Sequence, residues 1–192
     1  MKYIYTLLAV ICLFFSAMSQ EPTKEIKPLQ VGDKLPENLW NQKFAVIDST
    51  GSTDSLSLRQ FKGKLIVLDF WAAWCSNCIQ KFPLLAQLQK KYAASFEVLL
   101  VNAQNTKDRP ERMVGILSGK KAPFVKSALR SIYNDTTLYP LFPHKYLPHY
   151  VWIDAKGQVA AITSAALLSE QTVQQLINTT QTKAQAPSQI TP

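Results

Sequence analysis

The hydrophobic pattern in the middle of the chain predicts a strand, a helix and a second strand. Residues 65–71 form an apolar run interrupted only by Asp69, which is typical of a fully buried central strand. From Ile79 to Tyr92, apolar residues recur at steps of three and four, as on one face of an amphipathic helix. A second apolar run, Phe96 to Val101, follows closely. Two strands joined by such a helix predict a right-handed crossover with parallel strands.

Shorter patterns predict further elements on both sides of this unit. Residues 44–48 form a short strand that ends in a Ser-Thr-Gly turn. Near the other end, residues 151–163 predict a β-hairpin around Ala155-Lys156-Gly157. Ser169 can cap a last helix, whose apolar face carries Val173, Leu176 and Ile177. The chain therefore belongs to the α/β class.

Residues 104–147 form an irregular segment between these parts. Asp108 can cap a short helix that has Pro110 in its first turn. The pattern from Phe124 to Tyr133 predicts another short helix. The pattern therefore predicts two short helices in this segment.

The start of the chain has the pattern of an export signal. Lys2 precedes an apolar stretch, and Ala17-Met18-Ser19 has small residues at the spacing that signal peptidase needs. We expect a signal peptide over 1–19, a linker over 20–28, a domain over 29–180 and a flexible tail over 181–192. The protein would then be periplasmic or otherwise exported. The alternative is an uncleaved anchor, because the apolar stretch is only slightly shorter than a membrane span.

The charge distribution bears on the partners. The chain has 21 Lys and Arg residues against 13 Asp and Glu residues, which gives a net charge of +8. The basic residues are scattered, and no cluster interleaves them with aromatic residues as in a nucleic-acid interface. We expect no nucleic-acid partner, and a membrane partner only if the leader is retained.

The cysteines point to redox chemistry. Cys12 lies in the predicted leader, so the mature chain keeps Cys75 and Cys78. A disulfide between residues three apart closes a very small loop and constrains the unfolded chain little. The pair is better suited to opening and closing than to stabilising a fold.

The segment from Asp69 to Cys78 runs from a buried strand into the start of a helix. Unpaired N–H groups and the positive dipole end at a helix N-terminus favour a thiolate at Cys75. A thiolate is the species that attacks disulfides, and a second thiol one turn later can release the mixed disulfide. We expect an exposed attacking sulfur at Cys75 and a sheltered resolving sulfur at Cys78.

Two other uses of the cysteine pair stay open. A zinc site could add His144 and His149, although these lie much further downstream than in typical Cys-x-x-Cys zinc sites. A structural disulfide is the other alternative. Neither accounts for the strand and tryptophan context of the cysteines, so redox activity is favoured.

The chain resembles the thioredoxin-like superfamily, in particular its exported TlpA/ResA-type thiol–disulfide oxidoreductases. Residues 69–78 resemble the thioredoxin active-site segment, and residues 31–36 and 58–64 resemble the entry region of redoxins. Residues 147–157 resemble the stretch with the cis-proline and the following hairpin. The resemblance implies a thioredoxin-like fold over residues 29–180. This fold has a central mixed β-sheet flanked by helices, an N-terminal β extension and an insert before the cis-proline.

The resemblance also implies roles for single residues. Pro148 would be the cis-proline beside the sulfurs, and the backbone of Leu147 would pair with the substrate chain. Asp69 would be the buried acid that moves the proton of Cys78. From the residues alone, a structural Asp linked to water is the alternative. Trp74 would shield the sulfurs.

Two positions depart from the pattern of many exported relatives. Asn77 stands where they have Pro, and Lys81 stands where they often have Glu. Such positions tune the reduction potential, which spans about −270 to −120 mV in this architecture. The resemblance further implies that Pro83 kinks the helix and that Trp71 packs in the core.

The predicted function is that of an exported disulfide reductase that acts on proteins by dithiol exchange, with no cofactor. Its partners would be disulfide-containing exported proteins, with apocytochromes as a candidate class, and an upstream reductant protein. One alternative is a peroxiredoxin-like peroxidase, but the Pro-x-x-x-Thr-x-x-Cys context is absent before Cys75. The other is a copper- or zinc-binding module that uses the Cys pair and a His.

Overall fold

The computed structural model describes residues 26–120 and 123–185. Within these ranges, seven strands form one mixed sheet. The strands are β1 (Phe44–Ile47), β2 (Thr53–Leu56), β3 (Leu65–Phe70), β4 (Phe96–Ala103), β5 (Ser131–Asp135), β6 (His149–Ile153) and β7 (Val159–Ser164). Their order across the sheet is β2-β1-β5-β4-β3-β6-β7.

Helices cover both faces of the sheet. They are α1 (Glu37–Asn41), α2 (Ser76–Ile79), α3 (Phe82–Lys91), α4 (Pro110–Leu117), α5 (Leu138–Leu141) and α6 (Glu170–Gln185). Apolar side chains of α3, α4 and α6 pack in one core layer, and those of α1 and α5 pack in the other. The predicted α/β fold with a mixed sheet between helices is confirmed.

β3 is the interior strand that leads to the cysteines. It pairs in parallel with β4 and antiparallel with β6, and all of its residues are buried. Leu65 and Val67 pack in the layer that contains α3, whereas Ile66 and Leu68 pack in the layer that contains α1. Because side chains alternate along a strand, Asp69 faces the α3 layer.

Several predicted elements are confirmed. The N-terminal β extension is the β1–β2 hairpin, which joins the sheet through antiparallel pairing of β1 with β5. β6 and β7 form the predicted hairpin. The Ser169 hydroxyl accepts a hydrogen bond from the backbone N–H of Thr172 at 3.1 Å, so Ser169 caps α6.

Two predictions for the irregular segment are wrong. Residues 131–133, expected in a helix, lie in strand β5, which is held between β1 and β4. This pairing with distant strands overrides the local pattern. Asp108 does not cap α4, because Arg109 is the N-cap residue and makes no side-chain cap. The Asp108 carboxylate instead binds the loop that follows β3.

The helix expected over residues 79–92 is divided into α2 and α3. Residues 80 and 81 form a turn between them, and Pro83 lies in the first turn of α3. Proline has no backbone N–H, and a helix accommodates it without distortion only in its first turn. The expected interruption at Pro83 is therefore a break between two helices.

The predicted signal peptide over 1–19 lies outside the described residues, as does most of the linker over 20–28. α6 continues to Gln185, so the expected start of a flexible tail at residue 181 falls inside a helix. Residues 186–192 also lie outside the described ranges. No helix within those ranges is long and apolar enough to cross a membrane.

Candidate active site

Cys75 and Cys78 form a disulfide just beyond the carboxyl end of β3, with Cα atoms 5.4 Å apart. Cys75 is the N-cap residue of α2, and the backbone N–H of Cys78 donates a hydrogen bond to Cys75 Sγ at 3.2 Å. After reduction, such a contact stabilises negative charge on that sulfur. Because α2 has only 4 residues, this direct N–H contact matters more than a long helix dipole.

Both cysteines are shielded from solvent. Cys75 is 6% exposed and Cys78 is 0% exposed. The expectation of an exposed sulfur at Cys75 is wrong for the disulfide form, because Cys75 packs in the same core layer as Trp71 and Phe82. Cys75 is nevertheless the more accessible of the two.

Asp69 lies in the sheet on the face that packs against the cysteine layer. It is fully buried, and neither carboxyl oxygen has a hydrogen-bond partner among the described residues. Burial raises the pKa of Asp69 well above its ordinary value. A carboxyl group in this state retains a proton at a pH where an exposed Asp has lost it.

Tyr150 stands directly opposite Asp69 in the register between β3 and β6. Its hydroxyl is also buried without a partner in the described part of the chain. Burial, and secondarily the Asp69 charge, raises the pKa of Tyr150. No local pattern in the sequence marks Tyr150 as a site residue, because only the strand register brings it to Asp69.

The Leu147–Pro148 peptide bond is cis, as the resemblance implied. His149, the next residue, pairs with Phe70 at the end of β3. This register brings Pro148 beside the start of the loop that carries Cys75. The cis-proline and the cysteine segment therefore meet at one edge of the sheet.

A pocket of about 310 Å³ opens next to this edge. Trp74, which is 60% exposed, and Leu147 both line it. Its remaining wall combines aromatic and polar side chains, among them Phe70, Trp71, Asn105, Thr106, Tyr139, His144 and Lys145. The two residues expected to contact substrate are thus brought to one cavity.

His144 and His149 stack on each other, with ring centroids 4.3 Å apart. Burial, and then the charge of His144, lowers the pKa of His149 to about 4. Burial also lowers the pKa of His144. In residues 26–120 and 123–185, no three His, Cys, Asp or Glu side chains are grouped so that they could hold a metal ion.

A polar network from the segment after β4 holds the loop that precedes Cys75. Asp108 Oδ2 accepts hydrogen bonds from the backbone N–H of Ala73 at 2.6 Å and from Asn102 Nδ2 at 2.9 Å. The Asn102 amide also donates to the carbonyl of Trp71 at 3.2 Å. Arg112 Nη2 donates to the carbonyl of Ala73 at 3.4 Å. The sequence gives no local signal for these contacts.

Comparison with known proteins gives related sequences. The Redoxin family matches residues 30–177, which is most of the chain. The thioredoxin-like protein YneN of Bacillus subtilis is 36% identical over 83 residues, 43% of this chain and 44% of that relative. The chain thus matches less than half the length of YneN. Thiol-disulfide oxidoreductase ResA of Bacillus anthracis is 28% identical over 149 residues, 77% of this chain and 75% of ResA.

Solved structures share the fold. A Chlorobium tepidum structure with the provisional name thiol:disulfide interchange protein DsbE is 28% identical, with a TM-score of 0.59, over 79% of this chain and 98% of that chain. A reduced 2-Cys peroxiredoxin of Plasmodium vivax has a TM-score of 0.64 at 17% identity, over 82% of this chain and 100% of that chain, which shows the fold alone. The chain therefore belongs to the Redoxin family and has a thioredoxin-like fold of the TlpA/ResA type.

Proposed function

We propose that the protein is a thiol–disulfide oxidoreductase that reduces disulfides in other proteins through Cys75 and Cys78. The observation that carries the proposal is the disulfide between the two residues, in which Cys75 is the N-cap residue of α2 and its sulfur accepts the N–H of Cys78. The relationship to proteins named thiol-disulfide oxidoreductase supports it.

The reaction starts from the dithiol form. The Cys75 thiolate attacks one sulfur of the substrate disulfide, and the other substrate sulfur leaves and takes up a proton. Cys78 then loses its proton and attacks Cys75 Sγ, which breaks the mixed disulfide and releases the second substrate thiol. Two electrons pass to the substrate, and the Cys75–Cys78 disulfide remains. A dithiol reductant protein must then reduce it.

Asp69 serves in the second step as the group that accepts the proton of Cys78. Its complete burial, its raised pKa and its position on the face toward the cysteine layer support this role. An acid whose pKa is raised is, once ionised, a better base than an ordinary Asp carboxylate. Pro148 would lie beside the sulfurs and shape the place where the substrate disulfide enters.

Substrate contact is proposed for Leu147 and Trp74. The backbone of Leu147 would pair with the substrate chain, and Trp74 would cover the sulfur pair from the solvent side. The pocket that both residues line supports this proposal, because a side chain next to the substrate cysteine could enter it. Aromatic walls favour an apolar or aromatic side chain there.

The reducing direction is proposed from the charged groups near the pair. An ionised carboxyl group close to a dithiol disfavours the thiolate form, which favours the disulfide of the protein and makes its dithiol a stronger reductant. Equilibration with glutathione measures this directly. We expect the reduction potential of the Cys75–Cys78 pair to lie toward that of thioredoxin, about −270 mV. A value of about −120 mV would indicate an oxidant.

Reduction of a protein disulfide such as that of insulin tests the function. Cys75→Ser should abolish turnover, because no nucleophile remains. Cys78→Ser should keep the first attack and accumulate a mixed disulfide, because nothing resolves it. Full activity of Cys75→Ser would contradict the proposal. Consumption of hydrogen peroxide in place of disulfide reduction would instead support the peroxidase alternative.

We propose that the substrates are exported proteins with disulfides, with apocytochromes as one class to test. The signal-peptide pattern of residues 1–19 supports export. N-terminal sequencing of protein from fractionated cells should find a start at Gln20 outside the cytoplasm. An intact N-terminus in the membrane fraction would support the anchored alternative. Mixed disulfides trapped by Cys78→Ser would identify the substrates.

A further inference from the structure

We propose that Asp108 is a positioning residue for Cys75. It holds the loop in front of the cysteine, and its charge limits how readily that cysteine becomes a thiolate. The inference rests on the proposed oxidoreductase function and extends it to side chains outside the Cys-x-x-Cys segment. Two side chains contact the backbone of Ala73, Asp108 at its N–H and Arg112 at its carbonyl.

Asp108 reaches Cys75 through the backbone. Its carboxylate accepts the N–H of Ala73 at 2.6 Å, and Ala73 is only 7% exposed. The N–H of Cys75 in turn donates to the carbonyl of Ala72 at 2.9 Å, which closes a tight turn over residues 72–75. A shift of the Asp108 carboxylate would therefore move the turn that presents Cys75 Sγ.

The carboxylate itself is held in place. Asn102 is 2% exposed and donates to Asp108 at 2.9 Å, while Thr106 donates to the Asn102 amide oxygen at 3.2 Å. Lys107, just before Asp108, has a φ of 56°. A lysine in this left-handed region is unfavourable and persists only where the surrounding contacts demand it. The backbone is thus held in a costly conformation next to Asp108.

The charge of Asp108 lies close enough to act on Cys75. Ala73 is two residues from Cys75, so the carboxylate lies within about 10 Å of the cysteine backbone. The Debye length at physiological salt is slightly shorter, about 8 Å, but Asp108 is half-buried, which reduces screening. Arg112 binds the carbonyl of the same residue, Ala73, and its positive charge favours a thiolate at Cys75, where the Asp108 charge opposes it.

Other charged groups surround the same loop. Asp69 belongs to β3, Lys81 lies between α2 and α3, and Lys145 lies on the pocket wall. The imidazoles of His144 and His149 lie on the cis-proline side. These groups stay unchanged in the variants below, so the comparison isolates the two charged side chains that contact the backbone of Ala73.

The test compares Asp108→Asn and Arg112→Gln with the wild type in the full chain. Asn keeps an acceptor for the Ala73 N–H and removes the charge, whereas Gln keeps a donor for the Ala73 carbonyl. Asp154→Asn is the matched control, because Asp154 accepts the N–H groups of Lys156 and Gln158 at 2.9 Å in the distant β6–β7 hairpin. The two readouts are the pKa of the reduced Cys75 thiol and the equilibrium constant with glutathione.

Asp108→Asn should lower the Cys75 pKa by about half a unit or more. It should also shift the glutathione equilibrium at least about threefold toward the dithiol, which is about 14 mV at 29.6 mV per tenfold change. Arg112→Gln should shift both readouts the other way, and Asp154→Asn should shift neither. A purely structural role would not produce opposite signs.

The proposal is overturned if Asp108→Asn leaves the Cys75 pKa and the glutathione equilibrium as unchanged as Asp154→Asn does. It is also overturned if Asp108→Asn and Arg112→Gln shift the Cys75 pKa in the same direction. Should Asp108→Asn fail to fold, Asp108→Ser is measured in its place, because it also removes the charge and leaves a hydroxyl acceptor. A lowered Cys75 pKa then supports the proposal, and an unchanged one overturns it. A wild type that exchanges no disulfide would overturn the proposed function, while the thiol titration would still decide the role of Asp108.

Discussion

Three buried polar groups near the redox loop lack hydrogen-bond partners among the described residues. They are the carboxyl of Asp69, the hydroxyl of Tyr150 and Nε2 of His149. An unpartnered buried group costs about 1–3 kcal/mol, and such groups often mark functional sites. Burial moves two of their pKa values in opposite directions, upward for Asp69 and downward for His149.

We expect Asp69→Asn to be more stable than the wild type at pH 7, with a gain that disappears near pH 4. The folded-state pKa of Asp69 lies above its unfolded value, so its contribution to stability is complete at low pH and is lost as pH rises through the folded pKa. The gain should reach at least about 1 kcal/mol, because one pKa unit corresponds to about 1.4 kcal/mol. Urea denaturation at pH 4 and pH 7 measures it. An equal gain at both pH values would argue against a raised Asp69 pKa.

His149 should produce the opposite trend. Its folded pKa of about 4 lies below the unfolded value of 6.5, so its contribution is present above pH 6.5 and is lost as pH falls toward 4. Relative to His149→Gln, the wild type should lose up to about 1 kcal/mol between pH 7 and pH 4.5, after allowance for the partly exposed ring. Denaturation of both proteins across this range tests it. Parallel stability profiles would show that the imidazole is not perturbed.

Single residues could be predicted from the sequence only where the motif is local. Cys75, Cys78 and Asp69 stand in one continuous segment, and Pro148 opens another. Asp108 was given a local role as a helix cap, because its actual partner, Ala73, is 35 residues away. The sequence shows that residue 108 carries a carboxylate that can accept hydrogen bonds, but it does not show which N–H group donates to it.

Among the secondary-structure elements, those with strong burial patterns were predicted well. β3 is buried along its whole length, and Ala155-Lys156-Gly157 between β6 and β7 is a sequence typical of a turn. β5 was missed because its burial alternates incompletely and its neighbours, β1 and β4, come from distant parts of the chain. Pairing with distant strands, rather than intrinsic preference, forms this element.

The cap of α6 provides a test at this scale. Ser169→Ala removes the hydroxyl that accepts the N–H of Thr172, so it should destabilise the protein by about 1 kcal/mol. Thr179→Ala is the control, since Thr179 is an exposed residue of the same helix whose hydroxyl bonds the carbonyl of Gln175. The control should stay within about 0.5 kcal/mol of the wild type. Equal losses in a chemical denaturation experiment would mean that Ser169 contributes no specific cap.

In the whole molecule, the redox pair is part of the core. Cys75 and Cys78 pack in the layer that also contains side chains of α3, α4 and α6. A change in their oxidation state therefore occurs next to the packing that stabilises the fold. Redox state and global stability are coupled for this reason.

We expect the oxidised protein to be more stable than the reduced protein by about 2 kcal/mol, the loop-closure value for so small a loop. Denaturation with and without a strong dithiol reductant measures the difference. The double variant Cys75→Ser/Cys78→Ser should show no dependence on the reductant. A reduced form that is the more stable one would point to an oxidant rather than a reductase.

The ladder between β3 and β6 makes the site sensitive to chain length at one point. Asp69 faces Tyr150 and Phe70 faces His149, and neighbouring residues of a strand point to opposite faces. An insertion of one residue just after Pro148 would exchange these faces. An imidazole would then stand opposite Asp69, and a phenol would enter the aromatic cluster around Phe70. A single added residue at this point would therefore change which side chain faces Asp69, and with it the groups that can exchange a proton with this acid.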